Sequence, residues 1–195
     1  MNVMEIDWNS IADKKVWYIY ERIFFADECT EICDMQIDND ILKIDHNPVS
    51  DTHRPRENYE QFVIENQNHL EEKLIKYVFD CNTRNYGYEI WGFETDPKLL
   101  TFHEGSEYGL HTRLNFYSDE PCDRKLTGYV FLSSHDNYNG GTIEADPAYK
   151  TVIPTHYKNQ GNLLIYPSFV PIKITPVQRG ALQVLTFDIV GPKLR

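Results

Sequence analysis

The chain is short of cysteine, of positive charge and of long apolar runs, and each shortage excludes something. Four cysteines in 195 residues, Cys29, Cys33, Cys81 and Cys122, are too few for a disulfide scaffold. They include no C-x-x-C pair of the zinc-binding kind, so reduced thiols in a cytoplasmic setting are the simplest expectation. Lys and Arg number 19 against 30 acids, a formal net charge of −11, which argues against nucleic acid or an anionic membrane as a partner. No stretch is apolar for long enough to span a bilayer, and Asp7, Asp13, Lys14, Lys15 and Glu21 interrupt the region where a signal peptide would be apolar. No Gly-rich phosphate loop and no Gly-x-Ser-x-Gly elbow occur.

What remains is an ordinary globular composition, 41% hydrophobic and 25% charged, with the charge unevenly spread. Residues 1–60 hold 14 acids and 6 bases, which leaves a nearly neutral remainder. This is the pattern of a solvated acidic front. The length predicts a single domain over 1–195, with a helix-bearing front over 1–98 and a strand-rich back over 99–195.

In the front, Val16 to Phe24 is aromatic and β-branched and predicts a strand. Ala26 to Ile37 predicts a helix, with Asp27 and Glu28 in its first turn and Cys29, Ile32, Cys33 and Met35 as an irregular apolar stripe. Cys29 and Cys33 share a helix face, a spacing that favours core packing over metal binding. Asn47 to Asn58 reads as loop, and Gln61 to Asp80 as a second helix with Leu70, Leu74, Tyr77 and Val78 at helical spacing. From Leu99 onward short β runs alternate with turn residues, at 99–103, 110–118, 126–133, 141–145, 151–153, 162–166, 171–175 and 181–190. Eight short strands without an intervening helix predict an α+β, mainly β protein: a sandwich or jelly roll buttressed by the N-terminal helices. Asn139-Gly140-Gly141 reads as a hairpin turn, and Ser133-Ser134-His135-Asp136 as a solvated loop, since neighbours in sequence cannot form a triad.

Three segments of the back half, LLTFHEGSEYGLHTRLNFYSD, LTGYVFLSSHDNYNGGTIEAD and GNLLIYPSFVPIKITPVQRGALQVLTFDI, resemble the 2-oxoglutarate- and Fe(II)-dependent oxygenases, in their prolyl 4-hydroxylase-like branch. FFADECTEI and YVFDCNTRNYGYEI extend the resemblance weakly into the front. It implies a double-stranded β-helix. It also implies iron held by a His-x-Asp on one strand and a distal His on another, with a basic residue pairing with the far carboxylate of 2-oxoglutarate.

Set against that pattern, His111 matches the first ligand, but Arg113 stands at the carboxylate position. The distal ligand position, five residues before Val177, holds Ile172, and the anchor position, two after Gly180, holds Leu182. Residues two apart on a strand face the same way, so Arg113 points where His111 points and would repel a dication. The resemblance with these losses implies a catalytically inactive oxygenase-fold protein, with no metal and no co-substrate expected. It would be a structural or protein-interaction module, oligomeric or part of an assembly, of which a phage virion neck or tail component is one form. Glu144 or Glu107 is expected to neutralise Arg113. Two alternatives stand beside this reading. One is an active Fe(II)- and 2-oxoglutarate-dependent hydroxylase with an unconventional site built from His111, His103 and a carboxylate such as Glu107. The other is a sensor holding an anionic small molecule in a residual pocket of His103, His111 and Arg113.

Overall fold

The computed structural model describes residues 16–36, 42–46, 57–65, 67–114, 121–146 and 153–193. Its strands are β1 (Tyr18–Tyr20), β2 (Leu42–His46), β3 (Glu57–Val63), β4 (Gly92–Phe93), β5 (Lys98–Phe102), β6 (Tyr108–His111), β7 (Cys122–Phe131), β8 (Tyr138–Gly140), β9 (Ile143–Ala145), β10 (Leu163–Pro167), β11 (Ile172–Ile174), β12 (Val177–Gly180) and β13 (Leu182–Pro192). Two α-helices precede most of them, α1 (Ala26–Asp34) and α2 (Asn68–Cys81). The large sheet runs β1-β10-β7-β13-β5-β3-β6-β11-β9, with β2 on β3 and β4 on β13, and β12 pairs with β8 in a small second sheet. This curled antiparallel arrangement is the mainly β jelly roll that the strand pattern predicts. The expected strands at 110–118 and 151–153 lie partly outside the described residues.

Alternation along the central strands separates two cores. On β13, Leu185, Phe187 and Ile189 face outward, as do Leu126 and Val130 of β7 and Leu163 and Ile165 of β10. They meet Cys29 and Ile32 of α1 and Leu70, Leu74, Val78 and Cys81 of α2, so the helices cover the outer face of one sheet. Each of these fully buried Leu or Val side chains contributes roughly 1.5–3 kcal/mol of transfer free energy. On the other face Leu182 and Val184 of β13, Tyr129 and Phe131 of β7, Leu164 and Tyr166 of β10 and Ile172 and Ile174 of β11 form the interior of the roll.

Helix α1 opens on Phe25, which offers no oxygen acceptor. Glu28, in the first turn, instead accepts from the Phe25 backbone N–H at 2.8 Å. The same carboxylate takes Lys73 of α2 at 2.6 Å, and that ammonium lies 4.1 Å from the centre of the Phe24 ring, joining the two helices.

Three local expectations change. The strand predicted over 16–24 is only Tyr18–Tyr20. The helix predicted from Gln61 begins at Asn68, because Glu57–Val63 is strand β3, paired with both β2 and β5. The apolar helical stripe starts only at Leu70. Upstream of it Tyr59, Phe62 and Val63 favour the sheet. Asn139-Gly140-Gly141 does not close a hairpin: β8 pairs with β12 and β9 with β11, and Gly140 and Gly141, at φ +82° and +55°, turn the chain from one sheet to the other.

Cys29 and Cys81 are completely buried, and burial pushes their thiols up to about 11 and about 12. A thiol titration with an aromatic disulfide at pH 8 is expected to leave both unmodified in native protein and to reach all four cysteines in denaturant. Prompt labelling of either by peptide mapping would contradict this packing.

Candidate functional site

β6 and β11 place His111 and Ile172 directly opposite each other in register, so their side chains share the inner face. The His111 Nδ1–H donates to the Gly109 carbonyl at 2.6 Å, and the ring meets that of Tyr108 edge-on at 3.7 Å. Nε2 is buried and has no hydrogen-bond partner among the described residues. Burial, with the nearby Arg113 charge, lowers the imidazole to about 4, so the ring is neutral at physiological pH.

Arg113 follows the end of β6 and is fixed by its backbone. Its N–H donates to the Ser168 carbonyl at 3.0 Å, and its own carbonyl accepts from Arg124 Nη1 at 3.1 Å. The guanidinium turns inward onto Asp188 of β13, with Nη2 on Oδ2 and Nε 3.3 Å from Oδ1, while Nη1 donates to the Tyr108 hydroxyl at 3.2 Å. The two side chains are 14% and 5% exposed, so this is a buried, two-pronged pair. Thr127 donates to Asp188 at 2.7 Å and contacts Ser168 at 2.9 Å, and Arg124 bridges Asp188 at 3.6 Å and Glu94 at 2.7 Å. Burial alone would raise the Asp188 carboxyl. The two guanidinium groups and Thr127 outweigh it and hold the carboxyl below its ordinary range.

The expected partners of Arg113 are therefore replaced. Glu144 pairs with Lys173 at 2.9 Å on the outer side of β9 and β11, and Asp188, not Glu144 or Glu107, neutralises Arg113. A residual pocket of His103, His111 and Arg113 is not assembled either. His103 is half exposed and bonds Glu60 of β3 at 3.0 Å. An anionic ligand would have to displace Asp188 from Arg113, which leaves the sensor alternative without a free cation there. Ile172 and Leu182 are fully buried in the interior core, and Leu182 lies opposite Phe102. Of the serine-histidine segment, His135 bonds Asn159 at 2.7 Å and Ser133 donates to the Ala181 carbonyl at 3.2 Å.

No motif of the back half singles out Asp188, Thr127 or Arg124. A signal was there: Leu182, Val184, Thr186 and Asp188 are the inward positions of one strand, and a carboxylate on an inward face demands a cation.

No family model matches the chain. Among curated proteins it is similar to PKHD-type hydroxylases. It is 23% identical over 113 residues to that of Cupriavidus pinatubonensis, covering 56% of this chain and 49% of that protein. It is 30% identical over 87 residues to that of Teredinibacter turnerae, covering 43% and 38%. The chain thus spans half or less of the curated relatives it matches. Among solved structures it superposes on the viral collagen prolyl hydroxylase of Paramecium bursaria Chlorella virus-1, solved with 2-oxoglutarate, with a TM-score of 0.67 at 16% identity over 94% of this chain and 99% of that one. A prolyl hydroxylase of Trichoplax adhaerens gives 0.66 at 17% identity over 93% and 86%.

The fold is that of the 2-oxoglutarate- and Fe(II)-dependent oxygenases. Within them the resemblance is to the prolyl 4-hydroxylase-like branch, as the motifs of the back half imply. These findings overturn the expected inactive structural module. The curated relatives are named as hydroxylases and the solved neighbours as prolyl hydroxylases, which favours an enzyme, and nothing in them points to a virion. Among the described residues no helix is long and apolar enough to cross a membrane.

The family's iron does not fit the residues at its usual position. His111 offers one free imidazole nitrogen, but Arg113 presents a cation where a carboxylate is needed and Ile172 has no donor atom. Among the described residues no three His, Cys, Asp or Glu side chains are grouped to hold a metal ion.

Proposed function

We propose that the chain is a hydroxylase of the prolyl 4-hydroxylase-like type, using Fe(II) and 2-oxoglutarate in a centre assembled differently from the His-x-Asp and distal His of its relatives. The similarity to PKHD-type hydroxylases over 43–56% of the chain, on the frame of the prolyl hydroxylases, supports the reading. The names of the solved neighbours put peptidyl proline first among substrates to test. The metal ligands would have to be other than residues 113 and 172.

Protein purified without oxygen and supplied with Fe(II), 2-oxoglutarate and proline-containing peptides is expected to release succinate on aeration, above an iron-free control. Succinate at the control level, together with no retained iron by elemental analysis, would withdraw the proposal.

A further inference from the structure

The interior beside His111 carries its own cation. Arg113 lies between Asp188, which takes two of its nitrogens, and the Tyr108 hydroxyl, which takes a third. With Arg124 and Glu94 the cluster holds two guanidinium groups and two carboxylates, so its formal charges cancel without an ion. His111 stands two residues away, its ring edge-on at 3.7 Å to that of Tyr108, whose hydroxyl accepts from Arg113. The carboxylate therefore is present, but it comes from β13 and not from position 113.

We infer that Arg113 is a built-in cation filling the electrostatic place of the metal. The interior next to His111 is complete without a divalent ion, and reversing the charge at 113 would turn His111, residue 113 and Asp188 into a divalent-cation site. Two carboxylates and a neutral imidazole are a donor set for a divalent transition metal, whereas a guanidinium hydrogen-bonded to Asp188 repels it. The inference does not depend on whether the protein hydroxylates a substrate.

The probe is Co(II), read by its visible absorption and by thermal unfolding. Arg113→Asp in chelator is expected to melt about 10 °C or more below wild type, because it buries two carboxylates side by side without their cation. Adding Co(II) is expected to restore most of that loss, and Arg113→Asp combined with His111→Ala to abolish the restoration. Wild type and His111→Ala are expected to show the same response to Co(II). Uptake of one Co(II) by wild type, weakened tenfold or more by His111→Ala, would overturn the inference. So would Arg113→Asp that melts with wild type in chelator, or a restoration that ignores His111. Arg113→Asp that stays unfolded even with Co(II) rejects the created site, and the wild-type titration then decides the first half alone. The succinate assay separates this from the hydroxylase reading. Succinate that requires His111 overturns the built-in cation and keeps the hydroxylase. Succinate that survives His111→Ala keeps both, and absence of succinate and of retained iron withdraws the hydroxylase alone, the Co(II) titration deciding the built-in cation.

Discussion

Asp188→Asn is expected to lower the stability of the protein by about 3–5 kcal/mol, near the largest effect a single substitution has. The substitution preserves the shape of the side chain and removes its charge. Arg113, 14% exposed, then sits in the interior with no carboxylate against it, and Arg124 loses one of its two anions. The penalty is that of an uncompensated buried charge, which exceeds what forming the pair contributes. Urea unfolding should show the loss at an unchanged slope, and a loss under about 1 kcal/mol would mean that Arg113 reaches another anion. Replacing both partners, Arg113→Met with Asp188→Leu, is expected to cost less than Asp188→Asn alone, since no unpaired charge remains. The pH dependence has a definite sign. Arg113 and Arg124 hold the Asp188 carboxyl below its ordinary range, so its contribution is fully present above about pH 4 and is lost as pH falls through the lower folded value. Stability curves of wild type and Asp188→Asn should therefore converge in acid.

The fold was legible because its signals are local and repeated. Period-two alternation along residues 182–189 separates Leu185 and Phe187, which meet the helices, from Leu182 and Val184, which fill the roll. The Leu70, Leu74 and Val78 stripe marks the buried side of α2 just as directly. Strand β3 departs from the helical expectation because nothing within 57–67 announces its partners. Glu60 and Gln61 are polar, and their strand state comes from pairing with Thr101 and Leu100, forty residues away. The site divides along the same line. Arg113, Ile172 and Leu182 could be placed by counting within motifs, because each is fixed by its neighbours in sequence. The counter-ion could not be, because Arg113 and Asp188 are 75 residues apart and meet only once the sheet has closed. Glu144 and Glu107 are the carboxylates expected there, yet β13 delivers Asp188 from across the roll.

The motif glycine before Leu182 yields the second large effect: Gly180→Ala is expected to destabilise by roughly 3 kcal/mol. Gly180 sits at φ +74° where β12 meets β8, paired with Tyr138 across an irregular register. A β-carbon there would lie 2.0 Å from the carbonyl oxygen of Asn137 and 3.2 Å from the Tyr138 α-carbon. Both are backbone atoms, so no side chain can swing aside, and the chain must shift just before Leu182 enters the interior. Two costs then add: about 1–2 kcal/mol for a left-handed residue with a side chain, and the displacement of the small sheet. Gly105 separates them, because it has a similar φ of +83° but open space around its missing β-carbon. Gly105→Ala is expected to lose only the conformational part, about 1 kcal/mol. Equal losses for the two variants in urea unfolding would show that handedness alone requires glycine at 180. A clearly larger loss at Gly180 would show that the family's glycine is kept for the passage of the Asn137 carbonyl. In that case the strand that carries Leu182 and Asp188 is positioned by a contact its own side chains never make.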